Sequence, residues 1–211
     1  MERTVSRIFS TRRIDPAGQR GFTLVELMVT TAISSFILLG VLSSFLMIGR
    51  TGANAANYAE LEAEARSALE IFSREVRQAY FVESGYSSTT VTLRIPDSSA
   101  TRDSLGYTVT YTFDSSAGTF SRTGPPINNP AGTSTTEILV DGVETISGTN
   151  PFNYYRYVTG GGYSTGFTSN TAANGTEIKQ IEINFLLRKA DVTVTAASNK
   201  VLSARFILRN K

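Results

Sequence analysis

One ionisable side chain, Glu26, stands near the start of a long apolar segment and is the group in this chain that most clearly suggests chemistry. Residues 27–48, which follow it, carry no charge. An ionised carboxylate in lipid costs roughly 2.5 to 3.5 kcal/mol, and it becomes tolerable when a positive group lies in contact with it. The chemistry that Glu26 offers is therefore ion pairing. The alternative is an acid near the membrane surface whose side chain extends toward the lipid head groups.

The side chains that most enzymes use for catalysis are missing from the sequence. Histidine and cysteine are absent, which removes the commonest general base, the thiolate nucleophile and the usual zinc ligands. The aspartates stand in separate segments where aspartate is expected for turn formation: Asp97, Asp103, Asp114, Asp141 and Asp191. Oxygen ligands near Asp97 and Asp103 leave a calcium loop as a minor alternative, without a recognised ligand spacing. We therefore expect no catalysis, no cofactor and no bound metal.

The apolar segment after Glu26 is long enough to cross a membrane. Its 22 residues, at about 1.5 Å per residue, span a hydrocarbon core of about 30 Å. The residues before it contain five arginines against two acidic residues: Arg3, Arg7, Arg12, Arg13 and Arg20 against Glu2 and Asp15. Because basic residues stay on the cytoplasmic side, we predict a cytoplasmic N-terminus, a single pass through the membrane and an exported C-terminal domain.

Three interpretations of this N-terminus are open: a cleaved secretory signal, a plain membrane anchor, and a leader removed on the cytoplasmic side. Residues 53–55 (Ala-Asn-Ala) resemble a signal-peptidase site. However, the apolar run is longer than the roughly 7 to 15 residues of a secretory signal, and a helical pattern continues after it. A plain anchor accounts for the length but gives no role to Gly21 or Glu26.

Most of the excess positive charge lies in the first 20 residues. The chain has 20 basic and 18 acidic residues, of which this stretch holds five and two, which leaves 15 and 16 for the remainder. A nearly neutral exported part lacks the clustered lysine and arginine that are typical of nucleic-acid binding. We therefore predict no nucleic-acid partner.

Beyond the membrane segment, residues 53–81 predict an amphipathic helix. Apolar residues recur there at three- and four-residue steps, which is typical of one buried helix face: Tyr58, Leu61, Ala65, Leu69, Phe72, Val76 and Ala79. Glu62 with Arg66, and Glu70 with Arg74, are spaced for ion pairs on the opposite face. The low helix propensity of the glycines at 49 and 52 predicts a local break in the helix.

From residue 89 onward the apolar period changes to two, which predicts half-buried strands. The predicted strands cover residues 89–95, 107–113, 119–123, 152–158, 177–188 and 201–209, the second and third forming a hairpin. In the fifth strand one face is wholly apolar: Ile181, Ile183, Phe185 and Leu187. Residues 124–136 and 159–176 are predicted as polar surface loops. Strands joined by short turns predict an antiparallel sheet and an α+β fold.

Four tyrosines near the fourth strand are candidates for an adhesive surface, because tyrosine is favoured at interfaces: Tyr154, Tyr155, Tyr157 and Tyr163. The alternative, in which they fill a strand and a loop, is equally consistent with the sequence.

Residues 21–26, Gly-Phe-Thr-Leu-Val-Glu, resemble the cleavage and methylation motif of type IV prepilins at every position. The resemblance implies that a prepilin peptidase cuts between Gly21 and Phe22 and methylates the new amino group of Phe22. It also implies that Glu26 pairs with the charged Phe22 amine when helices pack in a filament. Physical chemistry agrees, since glycine allows an extended backbone at the cleaved bond and a buried carboxylate requires an opposite charge.

The exported part is similar to the W-type minor pilins of type IV pili and, next, to the J-type pseudopilins of type II secretion. The similarity lies in short segments at residues 69–79, 118–122, 138–143 and 206–210. It implies a type IV pilin-like fold, in which a long N-terminal helix packs on an antiparallel β-sheet. The expected division is a leader at 1–21, a transmembrane or filament-core half-helix at 22–50, an amphipathic half-helix at 51–82 and a sheet domain at 83–211.

This organisation predicts a minor pilin-like structural subunit that contributes to pilus assembly initiation or to a tip complex. Its expected partners are prepilin peptidase, other minor and major pilins or pseudopilins, and the inner membrane before assembly. Two alternatives are a J-type pseudopilin of type II secretion and a membrane-anchored exported binding module that never polymerises. Glu26 distinguishes the last, because only a polymer supplies the partner amine.

Overall fold

The computed structural model describes residues 21–96, 106–158, 160–164, 172–189 and 198–208. The chain divides into two compact units, Met1–Ile48 and Gly49–Lys211. The predicted α+β class is confirmed, because one long helix precedes the strands and the strand pairings described are antiparallel.

Helix α1 comprises Leu24–Gln78. The predicted break is wrong, because helical structure continues through Gly49 and Gly52. A cost of up to about 1 kcal/mol per glycine does not interrupt a helix of this length, whose propagation is cooperative. The helix ends before the predicted residue 81, because the Tyr80 N–H donates to the Arg94 carbonyl oxygen at 2.8 Å and leads the chain into a strand.

In the second unit, the apolar stripe of α1 packs into the core. Its buried residues are Leu61, Ala65, Ala68, Phe72 and Val76. Tyr58 was predicted to belong to this stripe and does not, since it precedes the buried section and is 49% exposed. On the opposite face, the Arg66 Nε lies 2.8 Å from the Glu62 Oε1, as predicted. Among the described ion pairs, none joins Glu70 to Arg74, so that pairing was predicted wrongly.

Five strands form the first sheet. They are β1 (Phe81–Val82), β2 (Thr90–Ile95), β3 (Tyr107–Asp114), β4 (Thr119–Gly124) and β5 (Thr135–Asp141), and they lie in chain order. The predicted hairpin is confirmed as β3 and β4. At its turn the Asp114 carboxylate accepts the N–H groups of Ser116 and Ala117 at 2.8 and 2.9 Å. β5 begins inside the predicted loop at 124–136 and was missed, because most of its side chains are exposed and its sequence lacks alternation.

A second sheet corrects the prediction of a single one. Its strands are β6 (Val143–Glu144), β7 (Phe152–Tyr157), β8 (Tyr163–Ser164), β9 (Ile178–Lys189) and β10 (Ser198–Ile207). The order is β10-β9-β7-β8, and β6 also pairs with β9. β7, β9 and β10 were predicted. β8 and all but the last residue of the short helix α2 (Ala172–Glu177) lie inside the predicted loop at 159–176, and both elements are too short to give a periodic pattern.

The chain passes from the first sheet to the second at Gly142, between β5 and β6. Its φ is +72°, a left-handed conformation that favours glycine. A Cβ at this position would collide with the Arg188 carbonyl oxygen, and the Arg188 N–H donates to the Gly142 carbonyl at 2.8 Å. Glycine therefore allows β9 to approach this crossover closely.

Phe72 joins the helix to both sheets. Its ring centroid lies 4.8 Å from that of Tyr111 and 6.4 Å from that of Phe120, both in the first sheet. In the second sheet the corresponding distances are 6.1 Å to Phe152 and 5.4 Å to Phe206. The predicted inner face of β9 is also fully buried: Ile181, Ile183, Phe185 and Leu187. One core therefore forms beneath the section of α1 that belongs to the second unit.

Candidate functional site

The candidate cleavage site lies directly before α1. Gly21 and Phe22 are outside regular secondary structure, and both are exposed. Phe22 is 78% exposed, and no neighbouring atom would lie within 4 Å of a Cβ at Gly21. A protease requires an accessible, extended backbone, so the position and exposure of this peptide bond suit cleavage.

Glu26 lies in the first turn of α1, where it forms a capping box with Thr23. The Thr23 hydroxyl accepts the Glu26 N–H at 3.2 Å, and the Glu26 carboxylate accepts the Thr23 N–H and hydroxyl, each at 3.4 Å. The reciprocal arrangement satisfies N–H groups that the first helical turn leaves unpaired. The spacing of threonine and glutamate predicts such a box, and the sequence analysis missed it. Glu26 therefore has a role within its own helix besides the one that the motif implies.

The carboxylate contacts in this box are long. Strong hydrogen bonds from N–H to oxygen measure about 2.7 to 3.2 Å, so distances of 3.4 Å indicate weak ones. Among the described residues, the contacts of the Glu26 carboxylate are with Thr23 alone. Glu26 therefore retains capacity to accept a stronger donor.

The helix after Glu26 is suited to a membrane. Among the residues described, α1 is the one helix long and apolar enough to cross a bilayer. None of the residues in its most apolar section is buried within the protein. Four hydroxyls in this section donate to backbone carbonyls of the preceding turn: Thr30, Thr31, Ser35 and Ser44. Since lipid offers hydroxyls no partner, internal hydrogen bonds make them tolerable there. The helix fits a membrane-anchored protein.

A buried ion pair joins α1 to the first sheet. Glu75 and Arg122 are each 2% exposed, and the Arg122 Nη2 lies 2.6 Å from the Glu75 Oε1. The Arg122 Nε donates to both carboxylate oxygens at 3.0 and 3.1 Å, and Nη2 also donates to the Pro125 carbonyl at 3.0 Å. The Tyr111 hydroxyl donates to the Glu75 Oε2 at 2.5 Å. We call Glu75, Tyr111 and Arg122 the buried triad.

The electrostatics of the buried triad follow from its burial. Burial and the neighbouring Glu75 carboxylate raise the pKa of Tyr111 far above its usual value of 10.0, so the phenol stays protonated. Burial alone lowers the pKa of the Arg122 guanidinium, but its hydrogen bonds and charge contact with Glu75 outweigh burial and raise it. A bidentate ion pair whose Oε2 also accepts a hydrogen bond from a neutral phenol is therefore the stable arrangement.

The sequence analysis missed the buried triad, although two signals were present. Glu75 follows Phe72 by three residues and precedes Ala79 by four, which places a carboxylate on the apolar stripe. Arg122 is two residues from Phe120 and therefore on the same face of β4. A charge on each of two apolar faces predicts a buried pair.

One of the four tyrosines of the candidate adhesive surface, Tyr154, is in the core. Tyr154 is buried, and its hydroxyl donates to the carbonyl oxygens of Ser87 and Thr90 at 2.6 and 3.1 Å. Burial, followed by proximity to Tyr86, raises the pKa of Tyr154 well above its usual value. Tyr157 is 61% exposed.

Tyr155 is partly buried, and its hydroxyl donates to Glu182. The Arg205 guanidinium lies 4.1 Å from the Tyr155 ring centroid. Tyr163 begins β8, and its side chain lies outside the described residues. The interpretation as an adhesive patch of four tyrosines is therefore wrong, because Tyr154 belongs to the core.

The described part of the chain contains no group of three or more metal-ligating side chains. Asp114 bonds its own turn, and the Asp141 carboxylate accepts the Gly142 N–H at 2.9 Å. Asp97, Asp103 and Asp191, and with them the possible calcium loop, lie outside the described residues. Asp114 and Asp141 thus have the turn-stabilising contacts expected of them.

One open cleft of about 460 Å³ lies beside the end of β7. Its lining residues are Arg156, Tyr157, Val158, Thr176, Glu177 and Lys179. The Arg156 Nη1 lies 3.2 Å from the Glu177 Oε2, and both side chains are about half exposed. A solvent-screened ion pair of this kind is a weak surface contact and gives no indication of a catalytic site.

Comparison with known proteins supports the interpretation of the N-terminal motif. A family model described as the prokaryotic N-terminal methylation motif matches residues 16–42, which contain Gly21, Phe22, Thr23 and Glu26. No curated protein matches the chain in a sequence search. The matched family is one of structural subunits rather than enzymes. The motif thus indicates a type IV pilin-like or pseudopilin protein that prepilin peptidase processes and that assembles with other pilins.

Proposed function

We propose that this protein is a minor pilin-like structural subunit of a type IV pilus, acting in assembly initiation or in a tip complex. The observation that carries the proposal is the complete motif of residues 21–26 at the start of an exposed apolar helix. Inserted in the inner membrane, the helix is covered by lipid. In a filament it is covered by the equivalent helices of other subunits.

The motif residues take specific roles in this proposal. Prepilin peptidase cuts after Gly21 and methylates the amino group of Phe22. The amine of Phe22 remains positively charged and pairs with Glu26 of an adjacent subunit. The weak contacts of the Glu26 carboxylate with Thr23, at 3.4 Å, support this role, because a cation at contact distance competes with them easily.

The chain then divides by function. Residues 1–21 are the leader, and 22–50 are the membrane and filament-core half of the helix. The amphipathic half was predicted at 51–82, but α1 ends at Gln78 and Phe81–Val82 forms β1, so this half stops at residue 78. Residues 83–211 form the sheet domain. This domain lies in the periplasm before assembly and at the pilus surface afterwards. The chain would reach the pilus from the inner membrane with its N-terminus cytoplasmic.

Two alternatives use the same N-terminus. A J-type pseudopilin of type II secretion carries the same motif, and copurification with secretion pseudopilins rather than pilins would identify it. A membrane-anchored binding module that never polymerises would need no partner for Glu26, and it would leave that residue with its capping contacts alone.

The experiment is expression of the full chain with and without a prepilin peptidase, followed by intact-mass and N-terminal peptide analysis. With the peptidase we expect loss of residues 1–21 and one added methyl group on Phe22. Gly21→Leu is the matched control, because it changes only the residue before the cleaved bond and should leave the chain uncut. A mature terminus at Ala56, or an uncut wild-type chain in peptidase-positive cells, would contradict the proposal.

A further inference from the structure

The buried triad holds α1 from two neighbouring strands at one point. Tyr111 and Arg122 are direct partners in the β3–β4 pairing, so their side chains lie on the same face of the first sheet. Both donate to Glu75, which lies 36 residues from Tyr111 and 47 from Arg122 in sequence. Donors from two strands therefore hold the Glu75 carboxylate from more than one direction. A single apolar contact would not fix its position in this way.

The sequence of α1 makes this contact specific for one helix register. A slip of four residues would place Ile71 or Ala79 opposite Arg122, and a slip of three would place Phe72 or Gln78 there. None of these side chains is a carboxylate. Each wrong register would leave the Arg122 guanidinium buried without its counter-charge, which is strongly unfavourable. Apolar contacts along the stripe lack this directionality.

We propose that Glu75, Tyr111 and Arg122 are positioning residues that fix the register of the exported half of α1 on the first sheet. Replacing a buried ion pair by apolar residues of similar size often leaves stability unchanged or higher, so specificity is the best-attested role for such groups. The consequence for assembly rests on the proposed function: a filament subunit must present its sheet domain at a fixed position along the helix that packs in the filament.

Two exposed ion pairs report this register directly. The Lys189 Nζ lies 2.5 Å from the Glu60 Oε2, and the Lys200 ammonium contacts the Glu62 carboxylate. A carbodiimide couples a lysine only to a carboxylate that it touches. A one-turn slip would place Glu64 or Ala56 opposite Lys189, so the position of the cross-link reads the register.

The test uses the full chain, purified in detergent, treated with a water-soluble carbodiimide and analysed by peptide mass spectrometry. The variant is the triple substitution Glu75→Leu, Tyr111→Phe and Arg122→Met. The matched control is Glu83→Leu with Arg94→Met, which removes a half-buried ion pair at 2.5 Å that does not involve α1.

We expect wild type and control to give the links from Lys189 to Glu60 and from Lys200 to Glu62. In the triple variant, limited proteolysis should still show a folded domain, because apolar residues replace all three groups. The yield of its two native links should fall by about threefold or more, because a wrong register no longer buries the Arg122 charge without a partner. A link from Lys189 to Glu64 should appear. Arg122→Lys, which keeps the charge but not the bidentate fork, should give an intermediate pattern.

Two results would overturn the inference. A folded triple variant with the wild-type pattern of links would show that apolar packing alone sets the register. An unfolded triple variant would show that the triad is a stability contact. Neither outcome depends on filament formation, so a chain that never assembles but shows the expected change in links would defeat the proposed function and leave the positioning role standing.

Discussion

The most informative perturbation separates the two roles of Glu26. Within its own helix the residue closes a capping box with Thr23, and in the proposed filament its charge neutralises the Phe22 amine of another subunit. Glu26→Gln removes the charge and keeps an amide oxygen that can still cap the helix. Thr23→Ala does the reverse, because it removes the capping hydroxyl and keeps the charge.

The magnitudes of the two effects differ enough to be distinguished. Loss of an N-cap side chain costs about 0.5 to 2 kcal/mol, and contacts of 3.2 to 3.4 Å favour the lower end. A buried amine that loses its counter-charge costs about 3 to 5 kcal/mol, which corresponds to roughly a hundredfold to several-thousandfold weaker incorporation. We therefore expect Glu26→Gln to reduce incorporation far more than Thr23→Ala. Membrane insertion of Glu26→Gln should be unchanged or slightly better, since it removes a charge from lipid.

The assay is copurification of each variant with partner pilins, at matched expression and after cleavage at Gly21 has been confirmed by mass. Thr23→Ser, which keeps a capping hydroxyl, is the control for threonine. If Glu26→Gln assembled like wild type while Thr23→Ala did not, capping would be the role of this motif residue. That result would favour the alternative function, a membrane-anchored binding module that does not polymerise.

Three further predictions concern the second unit. Phe72→Ala should lower the free energy of unfolding by about 3 to 5 kcal/mol in urea titrations, because the ring contacts both sheets; a loss below about 1 kcal/mol would contradict its central place in the core. A fragment that begins at Ala53 should be soluble and monomeric, whereas one that begins at Gly85 should unfold at much lower urea, since it lacks the buried stripe of α1. Stability should fall above about pH 10, because unfolding releases Tyr111 and Tyr154 from environments that raise the pKa of each. Each tyrosine lowers the free energy of unfolding by at most about 1.4 kcal/mol per pH unit. Tyr154→Phe should therefore reduce the slope of the free energy of unfolding against pH in the alkaline range, measured by chemical unfolding. An unchanged slope would show that Tyr154 does not cause the loss of stability.

The regular parts of the fold were predictable because each has a strong period. The buried stripe of α1 repeats at three and four residues. β9 carries apolar residues at alternate positions, and its four predicted inward residues are all buried. β5 was not predictable in this way. It is an edge strand in the described sheet, its side chains from Thr135 to Ile138 are exposed, and its position depends on backbone pairing with β4.

The buried triad shows a different limit. Arg122 and Glu75 each stand in a helix or strand whose polar residues are otherwise at the surface, and their partnership spans 47 residues. Sequence periodicity assigns each residue to a face of its own element, but it does not state which faces meet. Gly142 is similar, since its requirement for glycine comes from β9, which approaches it from 46 residues further along the chain at Arg188.

Helix α1 thus carries two carboxylates that must be satisfied away from water, Glu75 in the core of its own domain and Glu26 in the proposed membrane or filament. They solve the same electrostatic problem differently. Glu75 finds its counter-charge within the chain, with Arg122 at 2.6 Å and a phenol on its second oxygen. Glu26, among the residues described, has only two long contacts with Thr23. A carboxylate that is satisfied internally stabilises or positions its own domain, whereas one left with weak contacts in an apolar helix favours a positive group from outside. In the proposed filament the processed N-terminus supplies that group, so cleavage creates the charge that Glu26 requires.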